Sequence, residues 1–215
     1  MSGSGSQNQE KTNPPQRFVV IGSTGSGKTT LATKLATLID GTLLELDELA
    51  WQPGWKKLLR PQVREKVVGV VATSERWASA GNYNHLQDVL WARADVIVWI
   101  DFSFPRTFWQ LTKRTADRVW NRRVCCNGNF ETWKTTFCSR ESIFLWLFSS
   151  YWRNRRTFES MFPKTTNSDK QNGNDYDSVT TTCGPWKGKQ FVRLQSPSQV
   201  QNWFLKMRKM FEKTN

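Results

Sequence analysis

The sequence predicts an α/β domain, a parallel sheet covered by helices on both faces. Three observations carry this reading. Residues 17–21, Arg-Phe-Val-Val-Ile, form a short β-branched run between Pro15 and Gly22, as expected of a buried parallel strand. Residues 95–100, Asp-Val-Ile-Val-Trp-Ile, form a stronger run of the same kind, closed by Asp101. Helical periodicities alternate with the strand-like runs, the pattern that builds parallel sheets. At 215 residues the chain suits one such domain with a core and some decoration.

Residues 1–16 are rich in Ser, Gly, Asn and Gln and end at Pro14-Pro15, so they are expected to be a disordered lead before a single domain over 17–215. They lack the apolar run of a signal peptide and carry Lys11 as their one base, which argues for a cytosolic protein. After the first strand, residues 22–27 read as a turn. Residues 28–40 follow as a helix, with Leu31, Leu35, Leu38 and Ile39 at helical spacing and Gly41 as its stop. Residues 42–46 read as a second strand ending at Asp47. Residues 58–74 read as a helix with Val63, Val67, Val70 and Val71 on one face.

A weak third strand over 76–80 closes at Gly81-Asn82, and a short helix spans 85–93. Pro105 suits the first turn of a helix running to about residue 123. Residues 125–129 read as a turn and 131–162 as a broken helical region. Residues 164–189 are polar and aperiodic and read as a loop insertion. Residues 190–194 form a last strand, and 197–212 a last helix with Val200, Trp203, Phe204 and Met207 on its apolar face.

Lys plus Arg number 31 against 18 Asp plus Glu, a net charge of +13, which favours anionic partners. Residues 105–156 hold 11 basic residues against Asp117, Glu131 and Glu141, so over half of the excess sits there. The four cysteines (Cys125, Cys126, Cys138 and Cys183) form no CxxC pair, and there is one histidine. Both facts argue against a structural zinc site or a disulfide scaffold. The longest apolar stretch, 143–148, is far too short to span a bilayer.

The chemistry-bearing motif is Gly22-Ser23-Thr24-Gly25-Ser26-Gly27-Lys28-Thr29, which satisfies G-x-x-x-x-G-K-[ST] at every fixed position. Glycines let the backbone curl and aim successive N–H groups at phosphate oxygens. The helix starting near Lys28 adds its positive end, Lys28 reaches the β- and γ-phosphates, and the Thr29 hydroxyl ligates Mg²⁺. Thr30 completes the expected nucleotide-binding set. The alternative is a Gly/Ser turn without a ligand.

Further marks follow: Leu44-Glu45-Leu46-Asp47-Glu48-Leu49-Ala50-Trp51 with Pro53 and Trp55; Gly81-Asn82-Tyr83, then Leu90-Trp91-Ala92-Arg93-Ala94-Asp95; and Asn127-Gly128-Asn129 with Glu131, Trp133 and residues 142–146. With the glycine-rich motif they make the chain resemble the adenylate-kinase-like small P-loop kinases, especially the topology modulation (FlaR-like) proteins, over roughly 17–160 and the final strand and helix. That resemblance implies a three-layer P-loop NTPase fold with a five-stranded parallel sheet and a helical lid region over about 105–160. It also implies ATP as donor, Mg²⁺ as cofactor and transfer of the γ-phosphate to a small acceptor, which it does not identify.

Under the resemblance, Asp47 faces the acceptor as general base or hydroxyl anchor, against an alternative as a helix N-cap. Glu45, two residues earlier, is a weaker candidate for the same face. Gly81 and Asn82 bring backbone close to the transferred phosphate and Tyr83 lines the acceptor pocket, unless the segment is an ordinary strand-ending turn. Relatives carry an Asp where this chain has Ala80, so metal holding falls to Asp47 or Asp101, or activity is impaired. Asp101, at the carboxyl edge of the sheet, is a candidate metal ligand or a helix cap. Arg114 and Arg118 lie one turn apart on the basic helix, where the lid reading has them neutralise charge on the moving phosphoryl group.

Trp109, Trp120, Trp133, Trp146 and Trp152 interleave with the basic residues. A helical core packed with Trp is the expected reading; base stacking or a membrane-surface face is the alternative. Two other functions compete with the kinase: a nucleotide-binding protein whose basic, Trp-rich arm grips nucleic acid, and a regulatory ATP-binder that has lost catalysis. No recognised nucleic-acid module accompanies the kinase-like body.

Overall fold

The computed structural model describes residues 14–130, 142–162, 176–181 and 185–213. Strands β1 (Arg17–Gly22), β2 (Thr42–Glu45), β5 (Trp77–Ala80), β6 (Val96–Ile100) and β10 (Gln190–Leu194) run parallel, and β9 (Asp177–Thr180) pairs antiparallel with β10. The sheet order is β2-β5-β1-β6-β10-β9. The five expected parallel strands are therefore joined by a sixth edge strand. It lies in the polar stretch expected to be a loop, where short, mostly polar and half-buried side chains leave no apolar alternation to read.

Alternate residues of β1 feed two opposed cores. Phe18 and Val20 face helix α1 (Lys28–Leu38) and the final helix α7 (Pro197–Glu212), which contribute Leu31, Leu35, Trp203 and Met207. Val19 and Ile21 face α3 (Arg60–Thr73), α4 (Gln87–Arg93) and α6 (Ile143–Met161), which contribute Val63, Val67, Trp91 and Phe158. Two buried faces on one strand explain why β1 reads as a continuous apolar run. Asp95 fixes its entry: the carboxylate accepts from the backbone N–H groups of Gln16 and Arg17, each at 2.9 Å.

Helix starts follow local chemistry. Ser196 caps α7 by accepting from Gln199 N at 3.2 Å, with Pro197 in its first turn, and Ser142 caps α6 by accepting from Phe144 N at 3.3 Å. Between β2 and α3 the chain makes the five-residue helix α2 (Leu46–Ala50) and a ribbon of β3 (Trp51–Gln52) and β4 (Lys56–Lys57). The second strand thus stops at Glu45, and Asp47 lies in the first turn of α2 rather than on a strand end. Helix α5 (Phe104–Trp120) is followed by the hairpin β7 (Val124–Cys125) and β8 (Asn129–Phe130) where a plain turn was expected.

The expectation of a Trp-packed helical core fails for α5 and α6. Trp109, Trp120, Trp146 and Trp152 are all exposed. These two helices bury one face each, through Thr107, Leu111 and Thr115 on α5 and Phe144, Leu147 and Tyr151 on α6, and leave the indoles outside. Trp133 lies outside the described residues. Among the described residues no helix is long and apolar enough to cross a membrane.

Trp203 is fully buried and meets Phe18 edge-on, with ring centroids 6.3 Å apart, fastening α7 to β1. Trp203→Ala should lower unfolding free energy by about 3–5 kcal/mol, read as a shifted urea midpoint, because the cavity cannot refill. A change below about 1 kcal/mol would show that α7 is not part of the cooperative core.

Candidate functional site

The 22–29 loop runs from the carboxyl end of β1 to the start of α1. Its shape demands small residues. A Cβ on Gly22 would lie 2.5 Å from the Ile100 carbonyl oxygen of the neighbouring strand. Gly25 has φ +83, and a Cβ there would lie 2.9 Å from Leu111 Cβ on α5. Helix α5 therefore lies directly against the loop. No side chain caps the start of α1, and its first turn holds no acidic residue, unlike the serine-capped α6 and α7. The first N–H groups and the positive end of α1 therefore have no side-chain cap of their own.

Asn82, just past β5, accepts from Gly22 N at 3.1 Å through Oδ1 and donates through Nδ2 to Gly22 O at 2.6 Å. Its amide is used to hold the loop, so its contribution to the site is positional. Gly81 joins the same clamp by donating its N–H to Val20 O at 3.2 Å. Ser23 O accepts from the Lys28 ammonium at 2.8 Å and from Ser26 N at 3.1 Å. Burial lowers Lys28 to about 8; Asp47 and Glu45 oppose that shift, and the positive charge of Arg114 adds to it.

Two carboxylates face this cluster from the β2 edge. Glu45 Oε1 accepts from Thr29 Oγ1 at 3.1 Å. Burial raises the Glu45 carboxyl, with Glu48 and Asp47 adding to the shift and the Thr29 hydroxyl and Arg118 opposing it. Asp47 Oδ1 accepts from the Tyr83 hydroxyl at 2.9 Å, and burial together with that carboxylate pushes Tyr83 well above its ordinary value. Asp47 itself is exposed at the mouth of the cluster. The structure therefore gathers Lys28, Thr29, Asp47, Tyr83, Arg114 and Arg118 around the loop, and adds Glu45 as the residue that touches Thr29.

Register explains the prominence of Glu45. Glu45 and Ala80 are partners across β2 and β5, so their side chains leave the sheet on the same face. Ala80 packs in the core beneath α1 and Glu45 reaches Thr29 of that helix. The adjacent strand thus places a carboxylate beside Ala80 on the same face of the sheet. Parity from Asp47 could not show this, because α2 begins between the two residues.

Asp101 is placed differently from expectation. Its buried carboxylate accepts from Arg193 Nε at 3.0 Å and lies 3.2 Å from Arg155 Nε. This network joins the ends of β6 and β10 to α6. Ligation of a metal by Asp101 would require that pairing to open.

A hairpin packs on the segment that follows Asp47. Asn127 donates to the carbonyls of Glu48 at 2.6 Å and Trp51 at 2.7 Å, and Asn129 donates to Gln52 O at 2.9 Å and accepts from Trp55 N at 2.9 Å. The Cys126 thiol is pushed up by its hydrogen bond with the free thiol of Cys125 and by burial, and further by the negative charges of Asp47 and Glu45. From sequence these residues read as a turn and as one mark of the family resemblance, with no partner for the two asparagines that bracket Gly128. Among the described residues no three His, Cys, Asp or Glu side chains gather as a metal cage. Mg²⁺ needs only one or two carboxylates beside phosphate oxygens, and the Thr29 hydroxyl and Glu45 carboxylate, 3.1 Å apart, are oxygen donors that fit that requirement.

The Lys28 shift has a definite sign. Below about pH 8 the folded and unfolded chains both carry the proton, and the folded state bears a buried charge. Between about 8 and the ordinary 10.5 only the unfolded chain keeps it, so stability from this group rises with pH across that window. Urea unfolding of the wild type and Lys28→Met should show profiles that diverge there, the variant lacking the rise. Parallel profiles would show that Lys28 titrates normally.

No protein-family model matches the chain, and no curated protein sequence matches it. Among solved structures it is similar to a sugar kinase from Janibacter sp. HTCC2649 determined without ligand, at 16% identity and a TM-score of 0.44, covering 92% of this chain and 96% of that one.

Proposed function

We propose that the protein is an ATP-dependent phosphotransferase that moves the γ-phosphate of ATP to a small acceptor at the rim formed by Asp47 and Tyr83. The observation that carries this reading is the convergence on one uncapped helix start of the motif Lys28, the Thr29–Glu45 pair and the arginines of α5. A bare Gly/Ser turn has no need of two carboxylates and three cations at its edge.

In this reading the N–H groups of the 22–29 loop hold the β-phosphate, and Lys28 leaves Ser23 O to span the β- and γ-oxygens. Mg²⁺, held by Thr29 and with Glu45 as direct or water-mediated partner, would neutralise charge on the bridging phosphate oxygens. Arg114 and Arg118, whose charges act on Lys28 and Glu45, would stabilise charge on the equatorial oxygens. Asp47 accepts the proton of the attacking hydroxyl, and the Tyr83 hydroxyl orients that carboxylate. Asn82 and Gly81 serve the transfer by fixing the loop. Asp101 supports the sheet edge through Arg193 and Arg155.

The test is a panel of small hydroxylated and phosphorylated metabolites with ATP and Mg²⁺, scored for acceptor-dependent ADP release. At least one acceptor should stimulate release. Asp47→Asn should then lower kcat about 100-fold or more with little change in ATP affinity. An unchanged rate in Asp47→Asn would remove Asp47 as the base, and no stimulation by any acceptor class would remove the transferase reading.

A further inference from the structure

We propose that the outer face of α5 and α6 docks on an anionic lipid surface. Phe108, Phe148 and Trp152 form one connected patch through Phe104: the Phe104 centroid lies 5.1 Å from Phe148 and 6.1 Å from Trp152, and Phe108 lies 5.9 Å from Phe148. Exposure is high across it, 52% at Phe148, 54% at Trp152 and 55% at the adjoining Leu145. Trp109, 62% exposed, stands one residue beyond Phe108 on α5. Isolated exposed apolar residues need no account, but a connected aromatic patch on two packed helices does.

The charge around the patch selects the occupant. Exposed Arg106, Lys113, Arg153 and Arg156 lie on the same two helices. The acids of these helices are already paired, Asp117 with Arg123 at 2.8 Å and Glu159 with Arg193 at 3.1 Å. Among the described residues of these two helices the face therefore offers positive charge without unpaired negative charge, which complements anionic headgroups. Long basic side chains beside Trp and Phe are the composition of an interfacial helix, its rings at the acyl boundary and its cations among the headgroups.

Nucleic acid is the disfavoured occupant. Base stacking needs free ring faces, yet Lys113 Nζ lies 5.6 Å from the Trp109 centroid and Arg153 Cζ 5.8 Å from that of Trp146. Leu145 also has no part in a base stack and suits an acyl boundary. On α5 the two roles are separated by helix geometry: Thr107, Leu111 and Thr115 are buried on the inner face, while Trp109 and Lys113 point away from it. Docking would thus leave the inner face of α5 against the glycine-rich loop.

The full chain should co-sediment with phosphatidylcholine vesicles containing about 30 mol % phosphatidylserine in roughly 0.1 M salt, and only weakly with pure phosphatidylcholine. Its Trp emission should shift to the blue on binding. Phe148→Ser with Trp152→Ser should weaken binding about tenfold or more. Lys113→Glu with Arg156→Glu, at exposed positions outside the buried clusters, should do the same. Three results would each overturn the proposal: no binding to the anionic vesicles, vesicle binding unaffected by the Phe148 and Trp152 changes, or a single-stranded oligonucleotide or a second copy of the chain occupying the face in place of lipid. The last is read as oligonucleotide binding or dimerisation that those same changes abolish. ATP titration of the variants separates this result from failure of the nucleotide site, which these positions do not touch.

Discussion

One side-chain amide fixes the geometry on which the site depends. Asn82 bonds both backbone groups of Gly22, at 3.1 and 2.6 Å, and so ties the end of β5 to the residue where the glycine-rich loop leaves β1. Beyond Gly22 the loop is bounded by α5, which leaves no space for a side chain at Gly25, and by α1, whose first turn has no cap of its own. A loop held at both ends and pressed from one side keeps its N–H groups oriented before any ligand arrives. Such preorganisation is what makes backbone dipoles effective against a developing charge.

Around that fixed loop the charged groups are unequally satisfied. Burial weakens the Lys28 ammonium and raises the Glu45 carboxyl, so both sit nearer their neutral forms than solvent would allow. A bound polyphosphate with a divalent cation would add negative charge beside Lys28 and positive charge beside Glu45. The Asp101 network behaves differently. Its carboxylate is matched by Arg193 and Arg155, and it joins two strands to α6 without facing an unsatisfied partner. Two acidic residues at the same sheet edge thus differ in what remains for a ligand.

The five parallel strands were legible because each is an apolar run bounded by turn residues, and α7 because Val200, Trp203, Phe204 and Met207 share one face. The glycine-rich loop was legible because its spacing is set by local backbone geometry. Three features were not. Glu45 gained its place through strand register with Ala80 and the early start of α2, both tertiary facts. The docking of Asn127 and Asn129 joins residues more than 70 positions apart, with backbone carbonyls as partners, and carbonyls leave no trace in sequence. The outward Trp residues of α5 and α6 were misread as core because composition records how apolar a helix is and not how many of its faces are covered.

Calorimetric titration with ATP, with and without Mg²⁺, on the wild type and on Glu45→Gln tests the central claim most directly. The account predicts that the wild type binds ATP, that Mg²⁺ strengthens binding, and that Glu45→Gln loses most of that gain while still binding the metal-free nucleotide. Absence of ATP binding by the wild type in the presence of Mg²⁺, or an undiminished Mg²⁺ effect in Glu45→Gln, would contradict it.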